Sequence, residues 1–98
     1  MPKLNRMKRI EIIANQSVQE EILGGIETAI PDILYTMIPV VHGKGSDDRK
    51  LGTSTWPETN FLLISYVSPS DEEKIMQEIE NVRKRFPTEG IATFSISC

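Results

Sequence analysis

His42 is the one histidine and Cys98 the one cysteine of this chain. The imidazole of His42 can serve as a metal ligand or a proton shuttle; at the end of an apolar run it also fits a strand-end residue facing water. Asp47 and Asp48 offer hard oxygen ligands for a cation, although adjacent aspartates between glycines also make solvated turns. His42 and Cys98 together suit zinc or copper. Two ligands are too few within one chain, so His42, Asp47, Asp48 and Cys98 remain metal candidates only where several subunits meet. Gly43-Lys44-Gly45 has the make-up of an anion cradle, with small residues that let backbone N–H groups approach and a lysine that adds charge. A flexible turn reads the same way. Trp56-Pro57 either anchors the base of a loop or offers a hot spot to a partner. The sequence shows no nucleophile–base pair, and the expectation is a protein that is not an enzyme.

Except for Cys98, and for His42 at its mouth, these residues lie in one stretch, about 43–58, between the apolar runs ILYTMIPVV (33–41) and FLLISYV (61–67). Its glycines, its charged Asp47, Asp48, Arg49 and Lys50, and its hydroxyl residues cannot build a core. A connection this long inside a compact domain is either functional or disordered. The rest of the chain reads as the scaffold that presents it, and Asp47, Asp48, Arg49, Lys50 and Trp56 are the candidate partner contacts.

The scaffold follows from hydrophobic period. MKRIEIIA (7–14) reads as a first, mostly buried strand. Ser17 with Glu20 has the form of a capping box. It precedes a helix whose stripe is Val18, Ile22, Leu23, Ile26 and Ile30, which Pro31 ends. Gly24 and Gly25 within that helix leave room for a close neighbour. Residues 33–41 read as a second strand, in which Pro39 requires an edge or a bulge. FLLISYV, apolar on both faces, suits a strand covered on both sides. Ser70 with Glu73 repeats the capping box before a stripe of Ile75, Met76, Ile79 and Val82, with Lys74, Glu78 and Arg83 outward. IATFSI (91–96) alternates and makes the last strand. The order β-α-β-β-α-β predicts an α+β, ferredoxin-like split βαβ: a four-stranded antiparallel sheet with both helices on one face. Its other face then calls for cover by self-association.

The 98 residues form a single domain, 1–98. Lys and Arg number 11 against 14 Asp and Glu, a net charge of −3, which argues against a nucleic-acid binder. The basic group Lys3, Arg6, Lys8 and Arg9 reads as a solvated end. A lone cysteine points to a reducing compartment. No apolar run reaches the length of a membrane span, and no signal peptide is recognisable, so a cytoplasmic protein without membrane insertion is expected.

Val41-His42-Gly43-Lys44-Gly45, within a βαββαβ chain that opens with MKRIEIIA, resembles the V-x-G-x-G junction of the PII family of nitrogen regulatory proteins, over about residues 7–96. The resemblance implies a ferredoxin-like homotrimer. It also implies a small effector bound between subunits, near Val41, His42, Gly43, Lys44, Gly45, Ser46 and Gly90, and a long T-loop that contacts an enzyme, transporter or regulator. Several departures bear on the ligand. The family's glycine-rich turn with a lysine corresponds here to Phe86-Pro87-Thr88-Glu89-Gly90. The stretch 43–58 has no tyrosine for uridylylation. Ser46 and Asp47 stand where the family's glutamine is found, and the basic segment after the last strand has no counterpart. Adenine nucleotide is thus possible but weakened, and no prosthetic group is expected. Two alternatives share this topology: a trimeric metal-tolerance protein and an ACT-like amino-acid-binding regulatory domain, the latter usually with a short loop in this place.

Overall fold

The computed structural model describes residues 6–42 and 59–98. Strand β1 (Lys8–Asn15) passes through a 3-10 turn (Gln16–Val18) into helix α1 (Gln19–Ala29). Strands β2 (Thr36–His42) and β3 (Thr59–Val67) follow, then helix α2 (Pro69–Arg85) and strand β4 (Ile91–Ser97). The sheet order is β2-β3-β1-β4, with every neighbour antiparallel. This is the predicted βαββαβ arrangement.

Two periodicities meet in one core. Alternate strand residues Ile10, Ile12 and Ala14 of β1 and Phe61, Leu63 and Val67 of β3 are buried together with Ile22 and Ile26 of α1 and Ile75, Ile79 and Val82 of α2. Period 2 on the strands and roughly 3.6 on the helices place these side chains on facing surfaces. Both helices therefore cover the same side of the sheet. Ser65 is the buried polar residue of that side, and its hydroxyl donates to the Leu34 carbonyl at 2.7 Å.

Helix ends depart from the sequence expectation. Ser17 does not cap α1. Asn15 caps the preceding 3-10 turn by accepting from the Ser17 N–H at 2.9 Å, and α1 begins after Val18 without a side-chain cap. Glu20 and Glu21 in its first turn still complement the positive end of the helix dipole. In α2 the cap is Ser68 and not Ser70: the Ser68 hydroxyl accepts from the Asp71 N–H at 3.2 Å, with Pro69 at the first helical position. Arg83, Lys84 and Arg85 occupy the last turn, where cations favour the dipole.

The second strand also starts later than expected, at Thr36 and not at Ile33. The turn after α1 uses the backbone there. Ile33 N–H donates to Ile30 C=O at 3.1 Å, and the Leu34 carbonyl is taken by Ser65. Pairing begins with Thr36 opposite Ile64. The register then shifts between Ile38 and Val41. This bulge holds Pro39 on an edge strand, as its missing N–H requires. The Gln16 side-chain amide donates to the Pro39 carbonyl and ties the bulge to the end of β1.

Candidate functional site

Three of the candidate ligand residues lie at one end of the sheet. Asn15 pairs with Asn60, and Asn60 pairs with Val41. On the other side, the Asn15 N–H donates to the Gly90 carbonyl at 3.4 Å. Gly90, Asn15, Asn60 and Val41 thus form a row from the β4 edge to the β2 edge. His42, exposed at the end of β2, pairs with Thr59 in the next row. The connection 43–58 leaves and rejoins the sheet at this end. Gly43, Lys44, Gly45, Ser46, Asp47, Asp48, Arg49, Lys50 and Trp56 lie outside the described residues.

The turn that follows α2 completes this end. Its backbone closes with Glu89 N–H to Phe86 C=O at 3.1 Å. The Ser17 hydroxyl donates to the Glu89 carboxylate at 2.7 Å, so the turn is fastened to the start of the first helical segment. Arg83 donates to the Ile91 carbonyl at 2.9 Å, and the Arg85 guanidinium lies 5.5 Å from the centroid of the Phe86 ring. The turn therefore carries the Glu89 carboxylate, and Arg83 and Arg85 stand in the last turn of α2 beside it. Within residues 86–90 the charged residue is Glu89, and there is no lysine.

Val41 and Gly90 sit on opposite edges. Three strand spacings separate them, about 14 Å. The described residues of one chain therefore do not bring these two candidates into a single small pocket. His42 and Cys98 are farther apart still. Cys98 N–H donates to Met7 C=O at the other end of β1, a strand length away. One chain cannot bring them to one metal ion. Among the described residues no group of three His, Cys, Asp or Glu side chains could hold a metal.

The face of the sheet away from the helices is mostly apolar. Ile38, Tyr66, Phe94 and Ile96 are 43, 53, 50 and 49% exposed, beside half-buried Ile13, Leu62 and Ile64. In its midst, Arg9 donates from Nε to Glu11 at 2.8 Å and from Nη1 to the Tyr66 hydroxyl at 2.8 Å. Those bonds, the one to Glu11 first, hold the Arg9 guanidinium above its already high ordinary pKa. Sequence reasoning groups Arg9 with a solvated basic end and does not single out Glu11 or Tyr66. Opposite charges two residues apart on a strand are a legible sign that they share a face. Tyr66 enters only through the pairing of β1 with β3.

No family model and no curated protein matches the chain. Solved structures do. A PII-like signalling protein from Thermus thermophilus superposes with a TM-score of 0.64 at 20% identity, over 92% of this chain and 84% of that one. CPII from Thiomonas intermedia, a nitrogen regulatory PII-like protein bound to ADP, AMP and bicarbonate, gives 0.63 at 21% identity, over 92% and 87%. Its form bound to ADP and bicarbonate gives 0.58 at 14%, over 94% and 89%.

The fold is that of the PII-like proteins. The likeness suggested by Val41 to Gly45 and by the order of elements is thus the one found in three dimensions. In this PII-like fold the row from Gly90 to Val41 and the connection 43–58 share one end of the sheet. The described residues include no helix long and apolar enough to cross a membrane.

Proposed function

We propose that the chain is a PII-like regulatory protein and not an enzyme. Copies of it assemble through the apolar sheet face into a trimer. A small effector is held where the β2 edge of one copy, with Val41 and His42, meets the β4 edge of the next, with Gly90. Residues 43–58 contact a partner protein, an enzyme, transporter or regulator, through Asp47, Asp48, Arg49, Lys50 and Trp56. The observation that carries this reading is the placement of Val41, His42 and Gly90 at the end of the sheet from which the connection 43–58 departs, in a fold shared with signalling proteins. The effector acts by favouring one arrangement of the connection over another, and it can shift that balance only by its difference in affinity for the two.

A chemical guide is CPII, bound to ADP, AMP and bicarbonate. Here the turn 86–90 carries Glu89 and no lysine. The absence of one charge-assisted contact to a phosphate corresponds to about 1.5–3 kcal/mol, or roughly 10- to 100-fold in affinity. Nucleotide binding is accordingly weaker than in a PII protein with that lysine. A thermal-shift series with ADP, AMP, ATP, bicarbonate and divalent metals tests the reading, because a ligand of the folded state raises the melting temperature by mass action. A rise with bicarbonate or a nucleotide at millimolar concentration is expected. A response to metals alone would replace this reading with the metal-tolerance one. Removing residues 46–54 should leave folding and assembly intact and abolish partner capture; loss of the oligomer would make the segment structural.

A further inference from the structure

Among the described residues, Arg9 and Glu11 are the charged residues on the face of the sheet that the helices leave uncovered. They stand on β1, a central strand. Across β4, Arg9 is opposite Ile96 and Glu11 opposite Phe94; across β3, they are opposite Tyr66 and Ile64. Apolar and aromatic side chains therefore wall the pair on both sides. The two side chains are already 35 and 25% exposed. The Arg9 guanidinium carbon lies 5.7 Å from the Tyr66 ring centroid, so a stacking contact joins the two hydrogen bonds. Packing another molecule on this face takes the guanidinium out of water. Glu11 and Tyr66 use two of its five N–H donors, and a desolvated guanidinium needs acceptors for the rest.

We propose that Arg9, Glu11 and Tyr66 form a polar pin that sets the register of self-association, Arg9 of one copy donating to Glu11 of the next. The inference rests on the assembly proposed above and deepens it. A second copy of this chain is the occupant that fits. Each face brings one cation and one anion, so copies arranged around an axis supply every Arg9 with an acceptor and close with no net charge at the pin. A partner of one dominant charge would leave either Arg9 or Glu11 opposed. The pin works mainly by exclusion: a slipped arrangement buries the Arg9–Glu11 pair against Phe94, Ile96 or Ile64 and leaves the remaining guanidinium donors without an acceptor. The apolar residues supply attraction, and the pin selects one geometry.

Light scattering after size-exclusion chromatography, on the full chain over a concentration series, tests this. Arg9→Glu leaves two anions on each face, and Glu11→Arg leaves two cations. Each variant alone should assemble at least about tenfold more weakly than wild type, the scale of a lost charge-assisted hydrogen bond. Mixing the two should recover assembly in part, because two of the three contacts around a trimer then set anions against cations, while the third contact and the intrachain pairs stay like-charged. Circular dichroism checks that each variant is folded. If either is not, the neutral variants Arg9→Gln and Glu11→Gln carry the comparison, each with the same loss of about tenfold. If wild type assembles and the variants match it, or if two folded variants gain nothing on mixing, the pin is wrong and the assembly reading stands. A wild-type protein that stays monomeric at tens of micromolar removes both.

Discussion

A single residue can report on its surroundings through its titration. Tyr35 follows the turn after α1, and its hydroxyl donates to Glu27 at 3.3 Å. The negative charge of Glu27, partial burial and the hydrogen bond, in that order, raise the Tyr35 pKa above its ordinary value of about 10. The folded chain thus disfavours the phenolate. The contribution of Tyr35 to stability is fully present below about pH 10, where both states are protonated, and is lost as pH rises through the raised value. An ultraviolet absorbance titration should show this tyrosine ionising late, with Tyr35→Phe assigning the signal. Glu27→Gln should bring its pKa down. An unchanged titration in that variant would mean that Glu27 is not the cause.

At the scale of elements, the helices offer sharper tests because their caps and glycines are resolved one by one. Ser68 supplies the hydroxyl that caps α2, whereas the Ser70 hydroxyl approaches Ser68 at 3.2 Å and takes no backbone donor of the helix. Ser68→Ala should cost about 1 kcal/mol. Ser70→Ala should stay within about 0.5 kcal/mol. Urea unfolding of both variants checks the assignment, and a larger loss at Ser70 would restore the capping box read from Ser70 and Glu73. In α1 the two glycines differ. A Cβ at Gly24 meets nothing within 4 Å, while one at Gly25 comes within 2.6 Å of the Glu78 carboxylate. Gly24→Ala should therefore stabilise the chain by about 0.5–1 kcal/mol, the helix-propensity difference. Gly25→Ala should gain less, since the flexible end of Glu78 must move. Close approach of α2 thus explains Gly25 and leaves Gly24 without a packing role.

For the molecule as a whole, the balance of covered and uncovered surface matters most. One side of the sheet is closed by α1 and α2, and the other exposes Ile38, Tyr66, Phe94 and Ile96 in one plane. If copies cover that plane, assembly and folding are linked, and the melting temperature rises with protein concentration by mass action. Differential scanning calorimetry over a concentration range of about a hundredfold should show the rise. A melting temperature independent of concentration, with a monomer by light scattering, would leave the plane to another occupant.

Local sequence rules determined the βαββαβ order and the two helical stripes, and they required an edge or a bulge for Pro39. Each follows from rules that act within a few residues: alternation on strands, spacing on helices, and a ring that cannot donate. What local rules could not decide depended on which groups compete for a partner. Ser17 has the right spacing for a cap, but Asn15 takes that role and Ser17 turns to Glu89, 72 residues away in sequence. Residues 33–35 have strand-forming side chains, yet their backbone is used by the turn after α1 and by Ser65. Tyr66 joins Arg9 and Glu11 only because β3 lies beside β1 in a register that pairs Arg9 with Tyr66. Register, and with it the row that joins Gly90 to Val41, is a property of strands brought together by the common core. No stretch of sequence contains it until the tertiary structure sets those strands side by side.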